Sequence, residues 1–163
     1  MSLPRSPLVV GITLTLALAA LGWVGVDSYR TDHDADHRAQ TYDEVTQVAS
    51  DKILELTNLK PGNAAKARET LLDGVTDGFR ADFAEQVADF TSTIRRQKVT
   101  STGRIVSIAV DTVNDDSASV LVAASGSVAN RRASKPEARH YRLRVDLLEV
   151  GGHWLVNGLE FVS

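Results

Sequence analysis

Near Gln97 the hydrophobic period of the chain changes, and that change restricts the fold more than any other feature. Before it, apolar residues recur every three or four positions; after it, they recur every second one. From about Arg38, the residues Tyr42, Val45, Ala49, Ile53 and Leu56 lie on one face of a helix. The segment "NLKPGN" ends it, because Pro61 lacks a donor and disfavours helix at Lys60, and Gly62 permits a turn. A short helix, "AAKARETLL", follows and stops at Asp73-Gly74. A third helix is expected from near Gly78 to Arg96, with Phe79, Phe83, Val87, Phe90 and Ile94 as its stripe.

Past Gln97, Val106, Ile108 and Val110 alternate with Ser107 and Ala109, and "NDD" turns the chain into "SASVLVAASGSV". Tyr141, Leu143, Val145 and Leu147 then alternate with Arg142, Arg144 and Asp146, the pattern of a half-solvated strand. Gly151-Gly152 fits a hairpin turn, and "HWLVNGLEFV" closes the chain, with a bulge expected at Gly158. Three helices followed by four antiparallel strands, with no helix between strands, define an α+β fold. The helices are expected on the concave face of one curved sheet.

An apolar run precedes this pattern. Leu8 to Val26 contains nineteen residues and no charge, close to the ~20 needed to cross a bilayer core as helix. The rival is a cleaved signal peptide, whose apolar region is usually about 7–15 residues with a small-x-small site after it. Here "ALA" at Ala17 to Ala19 falls inside the run, which favours an uncleaved anchor. The expected order is a cytoplasmic head at 1–7, a transmembrane helix at 8–26, a polar linker at 27–38 and an extracytoplasmic domain at 39–163. Gly11, Thr15, Ala19 and Gly22 form a strip of small residues on one helix face. Such a strip lets membrane helices pack closely, although small residues are also common in spans that face only lipid.

Composition removes several kinds of chemistry. The chain has no cysteine, so thiol catalysis, thiolate metal sites and disulfides are excluded. Beyond residue 26 it carries seventeen basic and twenty-one acidic residues, a formal −4, which gives no support for nucleic-acid binding. "HDADH", His33 to His37, places two histidines at helical i, i+4 spacing, yet His140 and His153 are distant in sequence and a zinc site needs three or four ligands. It reads as a wet, helix-initiating segment, and no metal or cofactor is expected. Among catalytic candidates, only Tyr141 is in phase with an apolar strand face; His140, Asp82 and Asp111 are not. No catalytic residue is assigned.

Two surfaces remain. The run "NRRASKPEARHYRLR" holds Arg131, Arg132 and Lys135, which could meet an acidic partner or lipid headgroups, or could be a solvated loop that protects strand edges. Phe79, Phe83, Phe90 and Trp154 are expected to form one structural core cluster, the alternatives being an aromatic ligand box and an exposed Trp154.

The apolar run, the helix–helix–helix–sheet order, "DGFRADF", "SVLVAASGSVAN", "RHYRLRVDL" and the closing Trp154, Val156, Leu159 and Phe161 together resemble the actinobacterial Mce-associated membrane proteins. The resemblance implies a cone-shaped domain of the nuclear transport factor 2 type. It also implies a non-enzymatic accessory subunit of an Mce-type importer of fatty acids or sterols. The implied partners are the importer's substrate-binding proteins and permease, sister anchored proteins, and homo- or hetero-oligomers of such chains. A different class, the assembly adaptor of a type IV-like envelope secretion system, has the same layout of anchor and domain; an isomerase-type or ligand-binding cone is a third.

Overall fold

In the computed structural model, residues 37–133 and 135–162 are described. The apolar run, its strip Gly11, Thr15, Ala19 and Gly22, the head and the linker up to residue 36 lie outside the described residues. Among the described residues, no helix is long and apolar enough to cross a membrane.

Helix α1 covers residues 37–57, so it includes the last two residues of the expected linker. A 3-10 turn at Pro61–Asn63, α2 at Ala64–Leu72 and α3 at Asp77–Gln97 follow. The strands are β1 at Thr100–Val113, β2 at Ser117–Ala129, β3 at Glu137–Val150 and β4 at His153–Phe161. They form one antiparallel sheet in the order β1-β2-β3-β4.

Local chemistry fixes the ends of α3. The Thr76 hydroxyl accepts from the Phe79 amide at 3.3 Å and donates to Asn157 Oδ1 at 2.8 Å. Asp77 stands in the first turn and Arg95 and Arg96 in the last, each sign matching the helix dipole. Lys98 ends the helix in the left-handed region, at φ 52.

Cross-strand rows build the inner face of the sheet: Val110, Val120, Val145 and Leu159 make one row, and Ala118 and Leu147 belong to the next. Val45, Ala49 and Ile53 of α1 join these strand residues in the principal core cluster, with Trp154 and Val156. A smaller cluster of Leu59, Ala64, Ala67 and Ile94, with Val99 against it, ties α2 to α3.

Strand β1 departs from simple alternation. Its pairing with β2 shifts between Ile105 and Ser107 and again between Val110 and Thr112, so Val106 and Asp111 are extra residues. Each bulge moves the phase by one and keeps Ile105, Ile108, Val110 and Val113 against the core. Val106, expected inward with Ile108 and Val110, is therefore 56% exposed. The β3–β4 pairing skips Asn157, next to Gly158, where a bulge was expected. Gly151 and Gly152 turn that hairpin with φ of 61 and 80.

One glycine lets α1 come down on the sheet, and its partner lets two strands pair closely. Gly103 and Gly126 are directly paired, and a Cβ on Gly103 would overlap the Thr57 side chain at the end of α1. A Cβ on Gly126 would overlap the Thr102 carbonyl. Just beyond, Asn58 bonds the Gly103 amide and carbonyl through its side chain (3.0 and 3.1 Å), and Leu59 exchanges two backbone bonds with Ser101. Lys52 secures α2 from below. Its buried ammonium donates to Glu55 Oε2 at 2.8 Å and to the carbonyls of Thr70 and Asp73 at 3.0 and 2.8 Å, which satisfies all three of its protons.

Candidate functional site

Between α3, the last turn of α1 and the inner face of the sheet lies a half-open cavity of about 440 Å³. Helix α3 supplies Phe83, Val87, Phe90 and Ile94 to its wall. Opposite them the sheet supplies Val128, Tyr141, Leu143, Leu159 and Phe161. Phe90 is 37% and Phe161 68% exposed, so apolar surface reaches the solvent at this opening. The Tyr141 and Phe161 rings meet at a tilt, with centroids 6.4 Å apart.

Polar groups on the wall are few. Thr57 Oγ1 donates to the Ile53 carbonyl at 2.7 Å, and Ser101 Oγ accepts from the Leu59 amide at 3.3 Å. Tyr141 is the one ionisable side chain among the described lining residues. His140 is exposed on the other side of β3, Asp82 is exposed on α3, and Asp111 is the second extra residue of β1. An apolar cavity walled this way can hold a hydrocarbon; the lining presents no carboxylate or imidazole to move a proton. No group of three potential metal ligands occurs among the described residues.

The four aromatic residues expected in one cluster divide into two places. Trp154 is buried in the principal core, and Phe79 packs against that core. Phe79 stacks on Phe83 with centroids 4.8 Å apart, but Phe83 and Phe90 belong to the cavity wall. The reason is length. Phe79 and Phe90 are eleven residues apart, about 16 Å along a helix at 1.5 Å per residue, while Trp154 stands near the start of β4. One indole cannot reach all three rings, and Phe90 is corrected from core to opening.

The basic run folds into a defined loop. Asn130 Oδ1 accepts from the amides of Arg132 and Ala133 (2.8 and 2.9 Å), and the Asn130 amide donates to the Ala133 carbonyl. The Arg131 amide donates to the Gln97 carbonyl at 2.9 Å, which joins the loop to the end of α3. Arg131, Arg132 and Lys135 thus share one end of the fold with Arg95, Arg96 and Lys98, and all six are exposed. The second trio is visible in the sequence as a basic helix end, but only the topology brings it to the loop.

Three helices against a four-stranded antiparallel meander, with an apolar cavity between, define a cone of the nuclear transport factor 2 type. The chain belongs to the Rv1363c/MT1408-like family of uncharacterized proteins, whose profile matches residues 6–163. The uncharacterized protein Rv1363c of Mycobacterium tuberculosis (strain ATCC 25618 / H37Rv) is 34% identical over 155 residues. That match takes in 91% of this chain and 59% of the relative, so the chain spans about three-fifths of the relative's length. A periplasmic fragment of TraM superposes with a TM-score of 0.61 at 10% identity, over 74% of this chain and 96% of the fragment. CagV, a VirB8 homolog of the type IV secretion system of Helicobacter pylori strain 26695, gives 0.59 at 12% identity, over 74% and 98%. At such identities the likeness establishes the fold. None of these three relatives is described as part of an Mce system.

Proposed function

We propose that this chain is a non-enzymatic assembly subunit of a cell-envelope machine, with its folded unit outside the cytoplasmic membrane and Leu8–Val26 as anchor. The observation that carries the reading is the fold shared with the periplasmic fragment of TraM and with CagV. It favours a type IV-like secretion assembly over other envelope machines. The cavity wall agrees with a role that involves no turnover, since Tyr141 is the only ionisable group among its described lining residues. An anchor and a folded unit in one chain engage two subunits at once, and for a short linker the second contact acts at an effective concentration of about a millimolar.

A second reading keeps the assembly role and changes the partners. In it the chain serves an Mce-type lipid importer, contacting the permease, the substrate-binding proteins and sister anchored chains. Its support is the order of sequence motifs behind the apolar run.

The chain has no native cysteine, so single cysteines report cleanly. Asp115→Cys, in the exposed β1–β2 turn, should react with a membrane-impermeant maleimide in intact cells. Crosslinking of the full chain in its own membrane should then recover secretion-type channel subunits. Recovery of an Mce permease instead selects the second reading. A turn protected from the maleimide, with no envelope subunit recovered, ends both.

A further inference from the structure

The cavity and the basic end of the fold adjoin. Ile94, Val99 and Val128 line the cavity at this end. Arg95 follows Ile94 in sequence, Lys98 precedes Val99, and Arg131 lies three residues beyond Val128. The bond from the Arg131 amide to the Gln97 carbonyl holds the two segments together. None of these arginines or lysines forms an ion pair among the described residues, and Arg96 is occupied only by the neutral hydroxyls of Ser92 and Thr93. The nearby carboxylate on β3, Glu137, is already paired with Arg139 at 2.8 Å. In a chain of net −3 this concentration of positive charge is local.

We propose that the cavity binds a single-chain anionic amphiphile, with its hydrocarbon tail between α3 and the sheet and its carboxylate or phosphate head at Arg95, Lys98 and Arg131. The volume lies in the lower part of the ~300–1,000 Å³ typical of small-molecule sites, which suits one alkyl chain rather than two. Apolar walls exclude a charged tail, because an unpaired charge there would lose its hydration. The basic collar selects the sign of the head, since guanidinium groups bind planar carboxylate and phosphate oxygens through charge-assisted hydrogen bonds. A sterol would fill the cavity but leave the collar without a counter-charge. The Tyr141 hydroxyl has no hydrogen-bond partner among the described residues. Ser101 Oγ, the other polar lining group on the sheet side, already accepts from the Leu59 amide, so Tyr141 offers the unpartnered polar foothold there.

The binding site is independent of the assembly role: an empty cavity would leave that role untouched, and a filled one does not require it. The test uses the full chain in phosphatidylcholine nanodiscs and a palmitate carrying a diazirine near its tail end. Photolabel should map to α3 between Phe83 and Ile94 and to β4 near Leu159. The double variant Val128→Trp/Leu159→Trp fills the cavity. If circular dichroism shows it folded, it should lose at least about tenfold of the labelling, as expected when a pocket of this size is occluded. The collar variant Lys98→Glu/Arg131→Glu changes exposed positions only and serves if the first fails to fold. It should cut palmitate labelling by about tenfold while labelling by the matching hexadecanol stays unchanged, because only the charge-assisted bonds are lost. Competition by unlabelled palmitate against hexadecyl phosphate separates a carboxylate head from a phosphate head. Label in the folded unit that falls only outside the cavity, or equal labelling of the cavity positions in the parent and the collar variant by palmitate, overturns the proposal.

Discussion

Helices α1 and α3 are of similar length and both are amphipathic, yet they meet the sheet in different ways. The buried middle of the α1 stripe is small and branched: Val45, Ala49 and Ile53 are fully buried. At its ends, Tyr42 is exposed and Leu56 is half-buried at the cavity. With Gly103 beneath its last turn, the helix comes into direct contact with strand backbone. The stripe of α3 carries three phenylalanines. Of its apolar residues only Val87 and Ile94 are buried, while Phe79 and Phe83 are half-buried and Phe90 is exposed by more than a third. Interaxial distance follows the size of the side chains at the contact. Small residues close the α1 half, and large ones prop the α3 half open. Stability should therefore concentrate on the α1 side of the sheet and room for a ligand on the α3 side.

The largest effect should come from the closed half. Trp154→Ala removes a buried indole from the principal core and should cost about 3–5 kcal/mol. That is a large share of the ~5–15 kcal/mol that holds a domain together. A melting point close to the parent's would place Trp154 outside the core and erase the contrast between the halves. Ile53→Ala should follow at about 2–5 kcal/mol, because the side chain is fully buried between α1 and the sheet and its neighbours are branched residues that cannot collapse into the gap. Equality with an α3 substitution would show that the two helices pack alike.

Lys52 extends the comparison to polar groups. Its ammonium is the only charge buried within the α1 side among the described residues, and it holds the carbonyls at the end of α2. Lys52→Met keeps most of the volume but leaves the Asp73 carbonyl without its donor and the Thr70 carbonyl with the Asp73 amide alone. The expected cost is about 1–3 kcal/mol, the penalty for losing the charged donor of part-buried carbonyls, read as a shift in urea midpoint at constant slope. No loss would mean that water replaces the ammonium and that the α1 side is less closed than Val45 and Ile53 imply.

Element boundaries were legible because local rules set them. Lys60-Pro61, Asp73-Gly74 and Gly151-Gly152 stop or turn the chain through their own dihedral preferences, and the period change near Gln97 separates helices from strands. The bulges of β1 were not legible. Alternation around Val106, Ile108 and Val110 reads as one uninterrupted strand, and only pairing with β2 shows that Val106 is the extra residue. Periodicity also assigned Phe90 to the correct face of α3 but could not tell how near that face lies to the sheet. Lys52 was hidden for a related reason: a lysine on a helix is ordinarily solvated, and its acceptors lie 18 and 21 residues away. The basic end was half legible, in Arg131 and Arg132. Its other half required the Arg131–Gln97 bond.

The smallest effect should come from Phe90→Ala. Truncating a buried phenylalanine ordinarily costs about 3–5 kcal/mol, because a closed void replaces it. Here the void already exists and opens to solvent, so the substitution widens a wet opening rather than creating an empty cavity. Phe90 also begins 37% exposed and has less apolar area to lose. Alanine is the better helix former by up to about 0.7 kcal/mol, which offsets part of the remainder. The net loss should stay within about 1 kcal/mol, a small shift in urea midpoint against that of Ile53→Ala. Tail labelling should weaken in the same variant, since the ring is part of the cavity wall. A loss as large as that of Trp154→Ala would mean that α3 closes on the sheet as α1 does, and the cavity would then have no room for a chain.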